Sequence, residues 1–249
     1  MVEINNIDDN RISVFRSLKQ IEPKSTSSGL FIAEGLKTCL QLLKSRITIM
    51  SVFALEKYYT ELNDQIQNHS IDDNQKFYTS KEIMNRIVGF RIHSGIMMLA
   101  EAPGNIEIGN LGNKIIVLNG IIDSENVGSI IRNCAAFGFG SVIADESASS
   151  PYLRRAVRVS MGTVFFTKIH YSKLIIETLR ELKYNGFTVI GAETGKWSVS
   201  LEGFTFPEKF VLVFGTESKG ISLAVLDMCD VLIHIPVNQI GRASCRERV

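Results

Sequence analysis

The chain has 249 residues, of which 45% are hydrophobic and 21% charged, and its formal net charge is +1. That composition supplies a core and excludes a disordered chain, while the near-neutral balance excludes indiscriminate polyanion binding through bulk charge. Four scattered cysteines (Cys39, Cys134, Cys229 and Cys245) offer no Cys-x-x-Cys or Cys/His spacing. This excludes a sequence-evident zinc site and favours a reducing compartment.

Residues 29–35 read as a short strand ending in a turn, and Leu36, Cys39, Leu40 and Leu43 then repeat at helical spacing. Residues 47–55 are strand-like, 58–67 helical and 77–79 a further strand. Ser80 is placed to cap a helix over 81–88 whose face is Ile83, Met84 and Ile87, and 96–100 close the unit as a strand. Alternating strands and helices predict a small α/β domain. The Pro/Gly/Asn-rich stretch 102–113 is the clearest linker, and it places one domain over 1–107 and a second over 108–238. In the second, strands are predicted at 115–119, 141–144, 164–169, 187–192, 210–215 and 231–235. Helices are predicted at 127–137, 152–159, 172–184 and 223–229. Strand runs that are apolar on both faces and separated by helices predict a parallel sheet covered on both sides. No apolar run is long enough to span a membrane, and the polar start MVEINNIDDN lacks the form of a signal peptide. A cytoplasmic protein with no membrane partner is expected.

Two stretches concentrate chemistry. Asn126-Val127-Gly128-Ser129-Ile130-Ile131-Arg132 follows the apolar run 115–118, and Gly215-Thr216-Glu217-Ser218-Lys219-Gly220 follows 210–214. A strand feeding a short turn and then a helix places backbone N–H groups, and here a cation, at a strand's C-terminal end. Two such turns in one parallel sheet describe a site for a charged, nucleotide-like molecule.

Each residue also has a plainer reading. Asn126 and Gly128 sit where strand turns to helix, and both tolerate positive φ as turn residues do. Arg132, on an otherwise apolar helix, is either solvated or set to recognise phosphate with its fork of donors. Arg154, Arg155 and Arg158 follow Ser150-Pro151, read as an N-cap and a first-turn proline; they form a solvated face or a phosphate patch. Glu217 either stabilises its turn or lines a ligand, and Ser222 reads as a helix N-cap. Lys37, Arg91 and His93 are nucleic-acid contact candidates on composition alone, and His93 has no partner at metal spacing. Trp197, Val199 and Leu201 read as local packing.

In this order the two stretches resemble the SpoU/TrmH family of the SPOUT superfamily, as do the intervening Arg158-Val159-Ser160-Met161-Gly162 and the closing Cys229-Asp230 and Ile235-Pro236. A lone Gly-x-Glu-x-x-Gly would carry little, whereas the ordered pair is specific. The resemblance implies an S-adenosyl-L-methionine-dependent ribose 2′-O-methyltransferase acting on tRNA or rRNA. It implies an α/β fold in which a small RNA substrate-binding domain precedes a parallel-sheet SPOUT domain, knotted as a trefoil and paired as a homodimer. By the same resemblance Asn126 positions substrate and Arg132 is catalytic, assisting loss of the 2′-hydroxyl proton. Gly128 lets backbone approach the RNA, which Arg154, Arg155, Arg158 and Ser160 would contact together with the composition-level candidates Lys37 and Arg91. Three walls would hold the cofactor: Ala192, Glu193 and Thr194; Gly215, Thr216, Glu217 and Gly220; and Ile235 and Pro236. No metal is implied. The common Gly-x-Gly-x-Gly turn of Rossmann-type methyltransferases is missing, as is the Gly-x-x-x-x-Gly-Lys-Ser/Thr loop of NTPases.

The chain departs from the family pattern after Val237. There the family continues with a Gly, a Ser-Leu-Asn-x-Ser segment and a long apolar helix, but residues 238–249 are mostly polar. Residues 239–249 are therefore expected to be foreign to the fold, leaving the knot incomplete and cofactor binding and dimerisation impaired. The rival reading is a non-catalytic RNA-binding protein that has lost the third cofactor motif.

Overall fold

The computed structural model describes residues 1–16, 29–88, 95–195 and 197–236. Arg91, His93, the 239–249 tail and the closure of the knot lie outside the described residues. Packing divides the chain differently from a single cut near residue 107. Residues 1–105 group with 124–136 and 150–167, while 106–123 group with 137–149 and the residues from 168 on.

Among its described residues the first unit holds strands β1 (Val2–Ile4), β2 (Leu30–Glu34), β3 (Ile49–Leu55), β4 (Lys76–Thr79) and β5 (Ile96–Glu101), in the order β1-β4-β3-β5-β2. β1, β4 and β3 run parallel, and β5 pairs antiparallel with both β3 and β2. β1 was not expected, because only Val2 and Ile4 carry the alternation there. Tertiary contacts hold it: the Thr79 hydroxyl donates to the Ile4 carbonyl at 2.7 Å. Around the sheet lie α1 (Ser13–Arg16), α2 (Leu36–Lys44), α3 (Lys57–Glu61), α4 (Asn63–Gln67) and α5 (Lys81–Val88). One helix was expected over 58–67, but the chain breaks at Leu62 into α3 and α4. Ile4, Phe53, Phe77 and Met97 from the strands pack with Phe15, Met84 and Ile87 from the helices as one core.

Two later helices complete this unit, α6 (Ser124–Ala136) and α7 (Arg154–Val159), followed by a 3-10 turn at Thr163–Phe166. Three local expectations change here. α6 starts at Ser124, ahead of the predicted 127, so Asn126 lies in its first turn and Gly128 in its interior. α7 starts after Leu153, so Pro151 is outside the helix. Residues 163–166 coil as a 3-10 turn where a strand over 164–169 was expected. α6 and α7 meet at Gly128, where a Cβ would lie 2.6 Å from the Ala156 carbonyl oxygen. Phe31 of β2 packs on Tyr152 and Phe165, with ring centroids 5.2 and 5.5 Å away.

Among its described residues the second unit holds β6 (Lys114–Leu118), β7 (Ser141–Ala144), β8 (Lys168–Tyr171), β9 (Thr188–Ala192), β10 (Val199–Ser200), β11 (Phe210–Phe214) and β12 (Val231–His234). Their order is β10-β12-β9-β11-β6-β7-β8, with every pairing parallel. β10 is new, since no strand was expected there and Val199 had been read as local packing. Ile115, Val117, Val189, Val211 and Val213 pack with Leu179 and Leu182 of α8 (Ile175–Tyr184) and with Val225 of α9 (Leu223–Leu226). Ile190, Phe210 and Ile233 pack in a second cluster with Phe139, Phe204 and Phe206. Burial on both faces is why these strands read as unbroken apolar runs. The expected α/β class with a parallel sheet holds.

Candidate functional site

In the second unit β12, β9, β11 and β6 are neighbours whose C-terminal ends lie at one level. Ala192 is in register with Ile233 and Phe214, and Phe214 with Leu118. The three expected walls, at Ala192, Glu193 and Thr194, at 215–220, and at Ile235 and Pro236, therefore leave from three adjacent strands along one edge. In open parallel sheets this is the edge at which ligands bind.

The 215–220 turn closes on itself. Thr216 N–H donates to the Gly220 carbonyl at 3.0 Å, and Gly220 N–H donates back to the Thr216 carbonyl at 2.9 Å. Gly215 leaves no room for a side chain, since a Cβ would sit 2.2 Å from Gly220 C and Ile221 N. Gly220 has φ 67°, in the left-handed region, and the Glu193 carboxylate occupies the space a side chain would need. Glu193 accepts from Ile221 N–H at 2.9 Å and from Thr194 N–H at 3.1 Å. Its carboxylate thus holds the turn, a role the expectation of a cofactor wall at Ala192, Glu193 and Thr194 did not include.

Two buried polar residues at this edge escaped the sequence reading. Asn119 follows β6 and Asp145 follows β7, each 6% exposed. Asp145 Oδ2 accepts from Asn119 Nδ2 at 2.7 Å and Gly120 N–H at 2.9 Å, and Oδ1 accepts from Ser147 and Ala148 N–H at 3.0 and 2.8 Å. Asn119 Oδ1 accepts from Ser222 N–H at 2.8 Å. The available signal was a polar residue directly ending each of two apolar strand runs.

An adenosyl sulfonium compound needs hydrogen-bonding backbone, apolar flanks for its ring, and close approach. The edge supplies the backbone of the 215–220 turn and two exposed apolar residues that follow its strands, Leu223 and Ile235, 80% and 64% exposed. The residues present fit that group.

In the first unit, α6 buries Val127, Ile131 and Cys134 and leaves Arg132 exposed. Among the described residues, no hydrogen bond or ion pair engages the side chain of Arg132 or of the exposed Arg158. The other two arginines are taken. Arg154 Nε donates to Glu34 Oε2 at 2.9 Å and its Nη2 lies 2.7 Å from the same oxygen. Arg155 Nε donates to Glu125 at 2.6 Å. Ser160 is fully buried, its hydroxyl donating to the Val157 carbonyl at 2.9 Å, and Gly128 is buried against α7. Gly128, Ser160 and Arg154 were expected to contact RNA; here Gly128 and Ser160 are buried and Arg154 is paired with Glu34. Asn126 is half-buried, and Lys37 is exposed on α2. Removing Arg154 strands Glu34, whose side chain is only 9% exposed. Arg154→Ala is therefore expected to lower the unfolding free energy by about 3 kcal/mol, read from a urea titration.

Burial pushes the thiols of Cys134 and Cys229 up to about 11 and that of Cys39 higher still. At neutral pH they are uncharged, which excludes them as thiolate nucleophiles. Among the described residues no group of three or more His, Cys, Asp or Glu could hold a metal ion, and no helix is long and apolar enough to cross a membrane.

The model of the SpoU rRNA Methylase family matches residues 113–243, more than half of the chain. A tRNA/rRNA methyltransferase of Mycobacterium tuberculosis, itself uncharacterized, is 29% identical over 241 residues, covering 93% of this chain and 83% of its own. Among solved structures, an AdoMet-bound rRNA methyltransferase from Sinorhizobium meliloti is similar with a TM-score of 0.81 at 20% identity, covering 98% of this chain and 92% of that one. An RNA 2′-O ribose methyltransferase is similar with a TM-score of 0.75 at 19% identity, covering 95% and 90%. These two likenesses establish the fold. Motif order, sheet edge and family match agree: the chain belongs to the SpoU rRNA Methylase family.

Proposed function

We propose that the chain transfers a methyl group from S-adenosyl-L-methionine to a ribose 2′-hydroxyl of tRNA or rRNA. The observation that carries this reading is the set of three motif segments lined up along one edge of a parallel sheet, in a chain of a methylase family. The ribose oxygen is favoured by the 126–132 motif and by the likeness to a 2′-O ribose methyltransferase. The RNA class is favoured by the tRNA/rRNA methyltransferase relatives.

In this reading the backbone of 215–220, together with Leu223, Ile235, Ala192, Thr194 and Pro236, would hold the cofactor. S-adenosyl-L-methionine supplies a methyl on a sulfonium, so displacement by the 2′-oxygen forms one C–O bond, breaks one C–S bond and leaves a neutral thioether. A guanidinium offers donors and no acceptor, so Arg132 is not assigned the task of taking the hydroxyl proton. Its guanidinium stabilises the charge growing on the 2′-oxygen and holds the neighbouring phosphate, while the proton passes to water. Asn126 orients the ribose, and Arg158 and Lys37 hold backbone phosphates. Cytoplasmic location and a homodimer belong to the same proposal, and sedimentation velocity tests the second.

Incubation with methyl-labelled cofactor and tRNA or rRNA, followed by alkaline hydrolysis, tests the reading. A 2′-O-methyl group blocks cleavage, so label is expected in alkali-resistant dinucleotides. Label in mononucleotides would move the reaction to a base, and RNA retention without label would favour the non-catalytic binder. Arg158→Ala is expected to leave stability within about 0.5 kcal/mol. In a salt titration of RNA binding the same variant should lower the slope by about 0.7.

A further inference from the structure

We propose that Asn119 and Asp145 are positioning residues: together with Glu193 they form a hydrogen-bond chain across four adjacent strand ends that presets the 215–222 turn. The proposal rests on the reading that this edge receives S-adenosyl-L-methionine, and it assigns the two residues no ligand contact.

The chain of bonds runs through β9, β11, β6 and β7, which are neighbours in that order. At its centre two consecutive backbone donors are held from the two strands flanking β11. Ile221 N–H goes to Glu193 beyond β9, and Ser222 N–H goes to Asn119 beyond β6. Asn119 in turn donates to Asp145 beyond β7, whose remaining capacity is filled by Gly120, Ser147 and Ala148. The network leaves one orientation for the Asn119 amide, because its oxygen must face a donor and its nitrogen a carboxylate.

A turn with glycine at both ends and exposed residues between them has many conformations when free. Ordering it on ligand binding would subtract from affinity, so fixing it during folding is worth affinity later. Its own bonds, between Thr216 and Gly220 and from Lys219 N–H to the Thr216 hydroxyl, close the turn but do not tie it to the neighbouring strand ends. Ser222 stands at the N-cap of α9 but its side chain makes no capping bond, and α9 is only four residues long. The restraint therefore has to come from the neighbouring strand ends, and Asn119 is the residue that reaches across.

Asn119→Ala leaves Ser222 N–H and one side of Asp145 unsatisfied, and cofactor affinity by calorimetry is expected to fall about tenfold. RNA affinity measured without cofactor is expected to stay within about twofold, because the brace acts on the cofactor-side turn. Independently of any ligand, the Ile221 and Ser222 amides are expected to exchange hydrogen about tenfold faster than in the wild type. Asp145→Ala removes the acceptor that orients the Asn119 amide, so adding Asn119→Ala to it should cost little further cofactor affinity, because the two act through one chain of bonds. Wild-type cofactor affinity in Asn119→Ala, equal loss of cofactor and RNA affinity, or fully additive losses in the double variant would overturn the proposal. A wild-type protein that binds no S-adenosyl-L-methionine would remove the functional reading instead. The amide exchange then decides the brace by itself, unchanged rates sinking it.

Discussion

Arg132→Ala is expected to lower ribose methylation by about a thousandfold while cofactor affinity stays unchanged. The residue is exposed on a helix whose other face is packed, and no other described residue engages its guanidinium. Removing it therefore strands no partner, and stability should change by no more than about 0.5 kcal/mol. Activity loss without stability loss would be the mark of a group that serves the substrate. Lysine should not restore the activity, because a point charge cannot hold a phosphate and a ribose oxygen with a planar fork of donors. Single-turnover assays with labelled cofactor, beside calorimetry of cofactor binding, provide the check. Alkali-resistant product at the wild-type rate would take Arg132 out of the mechanism.

A single methyl group at Gly215 is expected to weaken cofactor binding by about a hundredfold or more. The added Cβ would lie 2.2 Å from both Gly220 C and Ile221 N and 2.3 Å from the Gly220 carbonyl oxygen. All three are backbone atoms of the same turn, so no side-chain rotation can relieve the clash. The turn must open, and the bonds between Thr216 and Gly220 go with it. The apolar core lies below this edge, so the melting temperature should fall far less than affinity does. Calorimetry paired with thermal melts separates the two, and unchanged affinity in Gly215→Ala would mean that this turn does not hold the cofactor.

Much of the second unit was legible from residue pattern. Strands such as 115–118 and 210–214 are buried on both sides, and that burial writes itself as continuous Ile, Val, Leu and Phe. The motif segments at 192–194 and 215–220 could be read for the same reason, because they punctuate those runs. Residues whose role depends on a distant partner were not legible. Nothing local distinguishes Arg154, paired with Glu34, from Arg158, which has no such partner among the described residues. Gly128 looked like a turn glycine because the close approach of α7 at Ala156 is invisible in the residues around it. Asn119 and Asp145 looked like ordinary strand ends; their bond crosses 26 positions of chain. β1 and β10 are short and take their strand geometry from pairing with β4 and β12, not from propensity.

The pairing of Phe31 with Tyr152 and Phe165, and of Glu34 with Arg154, has a consequence for synthesis on the ribosome. The N-terminal sheet is complete in sequence by Glu101, yet Phe31, 1% exposed in the finished protein, has no aromatic partner until residues 152 and 165 have emerged. A nascent chain halted between those points carries an uncovered ring and an unneutralised carboxylate on its outermost strand. The first unit therefore closes only after residues 106–123 and 137–149 of the second have been translated, and a fragment ending at residue 107 should be a sticky intermediate that depends on chaperones.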